Sequence, residues 1–243
     1  MIKTIKDVKV NYIDYGEGEN TLVLLHGWGQ NIDMMKPIGD RFKKSNRIVI
    51  VDLPGFGASD EPNTIWSLND YVECIKELLD SLEIKSPILI GHSFGGKISL
   101  LYASFYKVEK LVLFGSPFKQ EIKKLSLKTK VLKFLKKVPV INKLEGFAKK
   151  HMGSTDYRNA SEVMRKIMVE HVNLDIEEEV KKIKCPTLMV WGTMDQEVPV
   201  ERAYELEKLI EDAGVVTYEG CSHYAYLERL EQTISVLKSF IGG

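Results

Sequence analysis

The sequence predicts an α/β fold, a mostly parallel sheet flanked by helices, on three observations. Nearly continuous apolar runs of five or six residues recur along the chain, as in strands covered on both faces. Longer stretches with apolar residues at 3-and-4 spacing separate them, which is the rhythm of βα units. The clear period-two segment lies at the N-terminus, before that alternation begins. At 243 residues, one elaborated domain is expected.

In chain order, "IKTIKDVKVNYIDYG" alternates polar and apolar residues and breaks at "GEGEN", which predicts an antiparallel edge hairpin. The core strands are "TLVLL" (21–25), "RIVIV" (47–51), "PILIG" (87–91), "KLVLFG" (110–115) and "TLMVWG" (187–192), with "VVTY" as the last strand. The clearest helix follows Ser67, its expected N-cap, and carries Leu68, Tyr71, Val72, Ile75, Leu78, Leu79 and Leu82 on one face. Further helices are expected at about 32–44, 94–105, 201–211 and 226–240. From Pro117 to Lys184 helical patterns continue without a convincing strand. An insertion of that size predicts a helical cap, residues 117–184, on a core made of 1–116 and 185–243.

Composition narrows the function classes. With 34 basic and 34 acidic residues the formal charge is zero, so no global field favours nucleic acid. No apolar stretch approaches the roughly 18 to 20 residues of a bilayer span, and the N-terminus lacks a signal-peptide run. Cys74, Cys185 and Cys221 are odd in number and widely spaced, so free thiols, no metal site and a cytoplasmic location are expected.

"GHSFG" (91–95) matches G-x-S-x-G between an apolar strand and a helix, the context in which a serine is lifted above a sheet edge. It lacks the G-x-G-x-x-G spacing and the Lys-Ser/Thr pair of phosphate-binding loops. A serine nucleophile needs a base, itself oriented by an acid. Of five histidines, His92 adjoins Ser93 and is expected to pack or cap, His26 to hold loop backbone, and His151 and His171 to lie at the surface or pack. His223, in "EGCSHYAYLE" after the last strand, is the natural base. Asp195, in "WGTMDQEVP", is the natural acid, since the order Ser, Asp, His is the one this nucleophile turn predicts. Asp52 and Glu197 are the rivals: the first precedes the nucleophile and suits a turn, and the second lies two residues past Asp195. The backbone N–H groups of Trp28 and Phe94 are candidate oxyanion donors.

These residues carry a resemblance. "HGWGQ", "VDLPGFGASD", "GHSFGG", "WGTMDQEVP" and "GCSHYAYLE" occur in an order and spacing that resemble serine hydrolases of the α/β-hydrolase superfamily with an inserted cap, over nearly the whole chain outside the insertion. The resemblance implies an eight-stranded α/β-hydrolase fold, Ser93 as nucleophile, His223 as base, Asp195 as orienting acid, and Trp28 and Phe94 as oxyanion donors. It implies carboxylic ester hydrolysis without a cofactor. The same triad supports carbon–carbon, thioester or lactone cleavage and perhydrolysis, and the fold also serves small-molecule receptors.

Between Pro117 and Met152 stand 11 Lys and 2 Glu. Leu127, Val131, Phe134, Leu135 and Val138 fall on one helical face and Lys123, Lys130, Lys133 and Lys137 on the other. The expectation is a cap helix whose apolar stripe, with Leu127, Val131 and Phe134, joins Trp28 and Phe94 around a small-molecule acyl ester. The basic face would suit weak association with anionic surfaces.

Overall fold

In the computed structural model, which describes residues 1–120 and 160–242, eight strands form one sheet. They are β1 (Ile2–Ile5), β2 (Val8–Tyr15), β3 (Thr21–Leu25), β4 (Arg47–Val51), β5 (Ile88–His92), β6 (Lys110–Phe114), β7 (Thr187–Gly192) and β8 (Ala213–Tyr218). Their order across the sheet is β1-β2-β4-β3-β5-β6-β7-β8. The β1–β2 and β2–β4 pairs are antiparallel and the rest parallel, so the edge hairpin and the parallel core stand where the patterns put them.

The apolar runs are continuous because both faces are covered. Leu22, Leu24, Ile48, Ile50, Ile88 and Ile90 pack on one side, whereas Val23, Leu25, Val49, Val51 and Leu89 pack on the other, the two-residue alternation of a pleated strand. The first face is covered by α1 (Ile32–Phe42) and α8 (Leu230–Ile241). The second is covered by α2 (Leu68–Ser81), α3 (Phe94–Phe105) and α6 (Glu201–Leu209). Helix α2 opens with a capping box in which Ser67 Oγ accepts the Asp70 N–H and the Asp70 carboxylate accepts the Ser67 N–H, a device worth about 1 kcal/mol.

Within 160–184 the chain forms α4 (Glu162–Asn173) and α5 (Glu177–Val180), and no strand occurs among the described residues there. The helix expected at 226–240 is two, α7 (Ala225–Glu228) and α8, because Arg229 between them has φ −121 and ψ 47. The apolar stripe and basic face predicted for the insertion, including Leu127, Val131 and Phe134, lie outside the described residues, as does His151. No described helix is long and apolar enough to cross a membrane.

Parallel strands share a carboxyl edge, where open α/β sheets gather their sites. His26 follows β3, Ser93 follows β5, Gly115 follows β6, and the loops after β7 and β8 carry Asp195 and His223.

Candidate active site

Ser93 is the only residue between β5 and α3. Its backbone takes φ 49 and ψ −111, a sparsely populated conformation that costs about 1–3 kcal/mol for a non-glycine residue. Neighbouring hydrogen bonds hold it there. The Ser93 N–H donates to Phe114 O at 2.9 Å, Ser93 O accepts the Lys97 N–H at 2.9 Å, and the Gly95 N–H donates to His26 O at 3.1 Å. Position 95 must be glycine because a Cβ there would lie 2.4 Å from Leu25 O and 2.6 Å from His26 O. The start of α3 is thus pressed against the end of β3.

Asp195 and His223 meet across the next two loops. His223 Nδ1 and Asp195 Oδ2 are 2.7 Å apart, and the carboxylate is almost fully buried. Asp195 Oδ1 accepts the N–H groups of Glu197 and Val198, each at 2.9 Å, so the acid is fixed by its own turn. An ionised carboxylate only accepts, so His223 carries its proton on Nδ1 and leaves Nε2 as an acceptor. Glu197 itself is exposed and supports Asp195 through its backbone. The loops are stitched by Thr193 N–H to Tyr218 O at 3.1 Å and Met194 N–H to Cys221 O at 2.9 Å.

Gly115 joins this pair to the serine. It follows Phe114, whose carbonyl binds the Ser93 N–H, and a Cβ on it would lie 2.8 Å from His223 Nδ1 and 3.2 Å from Asp195 Oδ2. Its φ of +51 also suits glycine. No hydrogen bond joins Ser93 Oγ to His223 among the described contacts; such bonds are often long until substrate is bound.

On the other side of Ser93, the turn after β3 is closed by Gln30 N–H to Gly27 O at 3.2 Å and by Gly27 N–H to Gln30 Oε1 at 3.0 Å. His26 Nε2 accepts the Leu53 N–H at 3.0 Å, so Nδ1 is the nitrogen that donates to Gly27 O at 2.7 Å. Burial pushes the His26 pKa down to about 4. The half-buried Trp28 packs edge-on against Phe94 and Phe56, with ring centroids 5.2 and 4.9 Å away. Among the described residues no acceptor takes the Trp28 N–H, and the Phe94 N–H, at the first helical position, has no partner one turn back.

Asp52 lies apart from this pair. Its carboxylate accepts the N–H groups of Ile32 and Ala58 and the Asn11 side chain, which is the turn role expected of it. His171 packs inside, its ring 4.9 Å from Phe94 and 5.5 Å from Tyr71. Burial, with the charge of Lys97, lowers its pKa to about 3. Lys97 is buried and donates from Nζ to His171 O at 2.7 Å and Leu174 O at 2.6 Å. It thereby caps the C-terminus of α4, although burial pulls its pKa down to about 8.

The structure therefore gathers Ser93, Phe94, Trp28, Asp195 and His223 at one sheet edge. Leu127, Val131 and Phe134 lie outside the described residues. Sequence reasoning missed Gly115, Gln30 and Lys97. A glycine directly after a core strand, and a lone lysine within the otherwise apolar "FGGKISLLYASF", are signals that point to the first and the last. Among the described residues no group of three or more His, Cys, Asp or Glu could hold a metal.

The model of the alpha/beta hydrolase family matches residues 22–236. A 2-hydroxy-6-oxononadienedioate/2-hydroxy-6-oxononatrienedioate hydrolase of Paraburkholderia phymatum is 27% identical, over 97% of this chain and 92% of its own. A pimeloyl-[acyl-carrier protein] methyl ester esterase of Aliivibrio fischeri is 26% identical, over 93% of this chain and 95% of its own. The crystal structure of an enol-lactonase from Burkholderia xenovorans superposes with a TM-score of 0.80 over 100% of both chains at 20% identity, a likeness of fold.

Proposed function

The chain belongs to the alpha/beta hydrolase family, and from that premise we propose that it is a serine hydrolase cleaving a small-molecule carboxylic ester through an acyl-enzyme. The observation that carries the reading is the buried Asp195–His223 pair, held against Gly115 beside the carbonyl that binds strained Ser93.

In the proposed cycle His223 Nε2 takes the Ser93 Oγ proton as Oγ attacks the substrate carbonyl. The oxyanion receives the N–H groups of Trp28 and Phe94, each worth about 2.7–4 kcal/mol of barrier. Asp195 stabilises the His223 imidazolium, which then protonates the leaving alcohol. Water, deprotonated by the same His223, attacks the acyl-enzyme, and the acid leaves with Ser93 Oγ reprotonated. These steps use no cofactor. Residues 117–184 act as a cap in this reading, with α4 bringing His171 against Phe94 as part of the acyl wall.

Fluorophosphonate labelling with peptide mapping tests the nucleophile: a label on Ser93 supports the reading, and a label elsewhere or none rejects it. A panel of acyl esters from about two to about sixteen carbons reads the pocket, because a short closed pocket and a long apolar one rank the chains oppositely. The likeness to a 2-hydroxy-6-oxononadienedioate hydrolase supports a second reading, carbon–carbon cleavage of a dienoic ketoacid with the same residues. Turnover of such a ketoacid in preference to every ester selects it. Ligand-induced stabilisation without turnover of any substrate selects a receptor instead.

A further inference from the structure

His223 is held from two sides, and Asp195 is only one of them. His92, the residue before Ser93, is fully buried, and its Nε2 lies 3.1 Å from the main-chain oxygen of His223. Its Nδ1 lies 3.2 Å from Gln30 Oε1. Both facing atoms are carbonyl oxygens, and a neutral imidazole has one N–H to offer. Gln30 Oε1 already accepts the Gly27 N–H at 3.0 Å. No other donor among the described residues reaches the His223 oxygen. The single proton is therefore assigned to Nε2.

We infer that His92 is a positioning residue for His223, its Nε2–H fixing the main chain of the base while Asp195 fixes the ring. The inference rests on the reading of His223 as the base.

The surroundings of His92 fit that task. Its ring is boxed by the rings of His223, Tyr226 and Tyr224, with centroids 4.8, 4.9 and 5.4 Å away. A Cβ on Gly27 would touch its Nδ1 at 2.8 Å. The titratable groups around it are thus His223 with Asp195 behind it, His26, Tyr224 and Tyr226. Burial first, then the charge of His223, hold the His92 pKa well below the ordinary histidine range. In the proposed cycle His223 becomes an imidazolium, and a second cation at this distance would oppose it. A neutral His92 supplies an N–H and no charge. Gln30 extends the support by donating to Tyr224 Oη at 3.3 Å, so the Gly27–Gln30 turn and the His223 loop are tied through one node.

The test compares His92→Phe, which removes the N–H and keeps a ring, with His92→Gln, whose amide carries an N–H to a similar reach. Kinetics on the preferred p-nitrophenyl ester should show kcat down about 10- to 100-fold in His92→Phe, the scale of a misplacement of about 1 Å. KM should stay within about twofold, the acid limb of kcat/KM should move, and fluorophosphonate should still label Ser93, more slowly. His92→Gln should recover part of the loss. Wild-type kinetics in His92→Phe, or a folded His92→Gln as impaired as the Phe variant, overturns the inference. Nitrogen-15 spectra of the wild-type histidines need no variant to fold: a proton on His92 Nε2 that persists from about pH 5 to about pH 9 is expected, and an Nδ1 proton or a titration overturns it. If wild-type Ser93 does not label, the hydrolase reading fails, while the spectra still report whether the His92 contact exists.

Discussion

Asp195 binds His223 Nδ1 through one carboxylate oxygen at 2.7 Å while two backbone N–H groups fill the other. The second oxygen anchors the carboxylate, which leaves the first to hold the imidazole proton on Nδ1. Asp195→Asn leaves an oxygen for the backbone donors and turns an NH₂ group toward His223. That favours the wrong tautomer and should lower kcat by about 10³- to 10⁴-fold. Its Tm should remain close to wild type, since no buried backbone donor is orphaned. Steady-state kinetics beside thermal unfolding check this, and more than about a tenth of wild-type kcat would remove Asp195 from the proposed mechanism.

Gly115→Ala should act on the same pair from below. The added Cβ meets His223 Nδ1 and Asp195 Oδ2, and the φ of +51 strains any L residue. The left-handed conformation alone costs about 1–2 kcal/mol; displacement of the pair should add at least about a 10-fold loss of kcat. Gly220→Ala is the comparison, because φ there is +73 and no atom lies within 4 Å of its Cβ position. It should lose stability without losing kcat. Urea midpoints and kcat for both variants separate strain from contact.

The two kinds of signal behave differently in this sequence. Leu22 to Leu25 and Ile48 to Val51 are legible as buried parallel strands because burial on both faces leaves no polar position. Ser67 and Asp70 announce the start of α2 because their bonds span three residues. Ser93, Asp195 and His223 could be singled out because each follows a core strand in a fixed order. Their support was not legible, since it depends on side chains meeting across the fold. His92 contacts His223 over 131 residues, and Gln30 reaches Tyr224 over 194. The break at Arg229 has no glycine or proline to mark it, so local pattern runs α7 and α8 together.

Lys97→Met should loosen α4 more than the rest of the molecule. The lysine amine is the donor to His171 O and Leu174 O, and methionine fills similar volume without a donor. Removing the buried charge relieves its desolvation, but the carbonyls it leaves stay in place and each orphaned acceptor costs about 1–3 kcal/mol. The orphaned acceptors should decide the sign, giving net destabilisation. Hydrogen exchange should quicken in α4 before α2, and unchanged protection in α4 would contradict the capping role.

Acid should destabilise the fold through its buried histidines. His26 and His171 have pKa values lowered by burial to about 4 and about 3, and His92 lies well below the ordinary value of 6.5. Below about pH 6.5 the unfolded chain takes up protons that the folded chain refuses, so stability is fully present above that pH and falls as pH drops toward the folded values. The slope is about 1.4 kcal/mol per pH unit for each histidine. Between about pH 6.5 and about pH 5.5 ordinary carboxylates remain almost wholly ionised, which isolates the histidine contribution. His171→Phe tests it, because the variant keeps an aromatic ring against Phe94 and Tyr71 and removes the group that titrates. Urea midpoints of the variant should decline less steeply than those of wild type between about pH 6.5 and about pH 5.5. Parallel pH profiles for the two proteins would mean that His171 takes up its proton as readily in the folded chain as in the unfolded one.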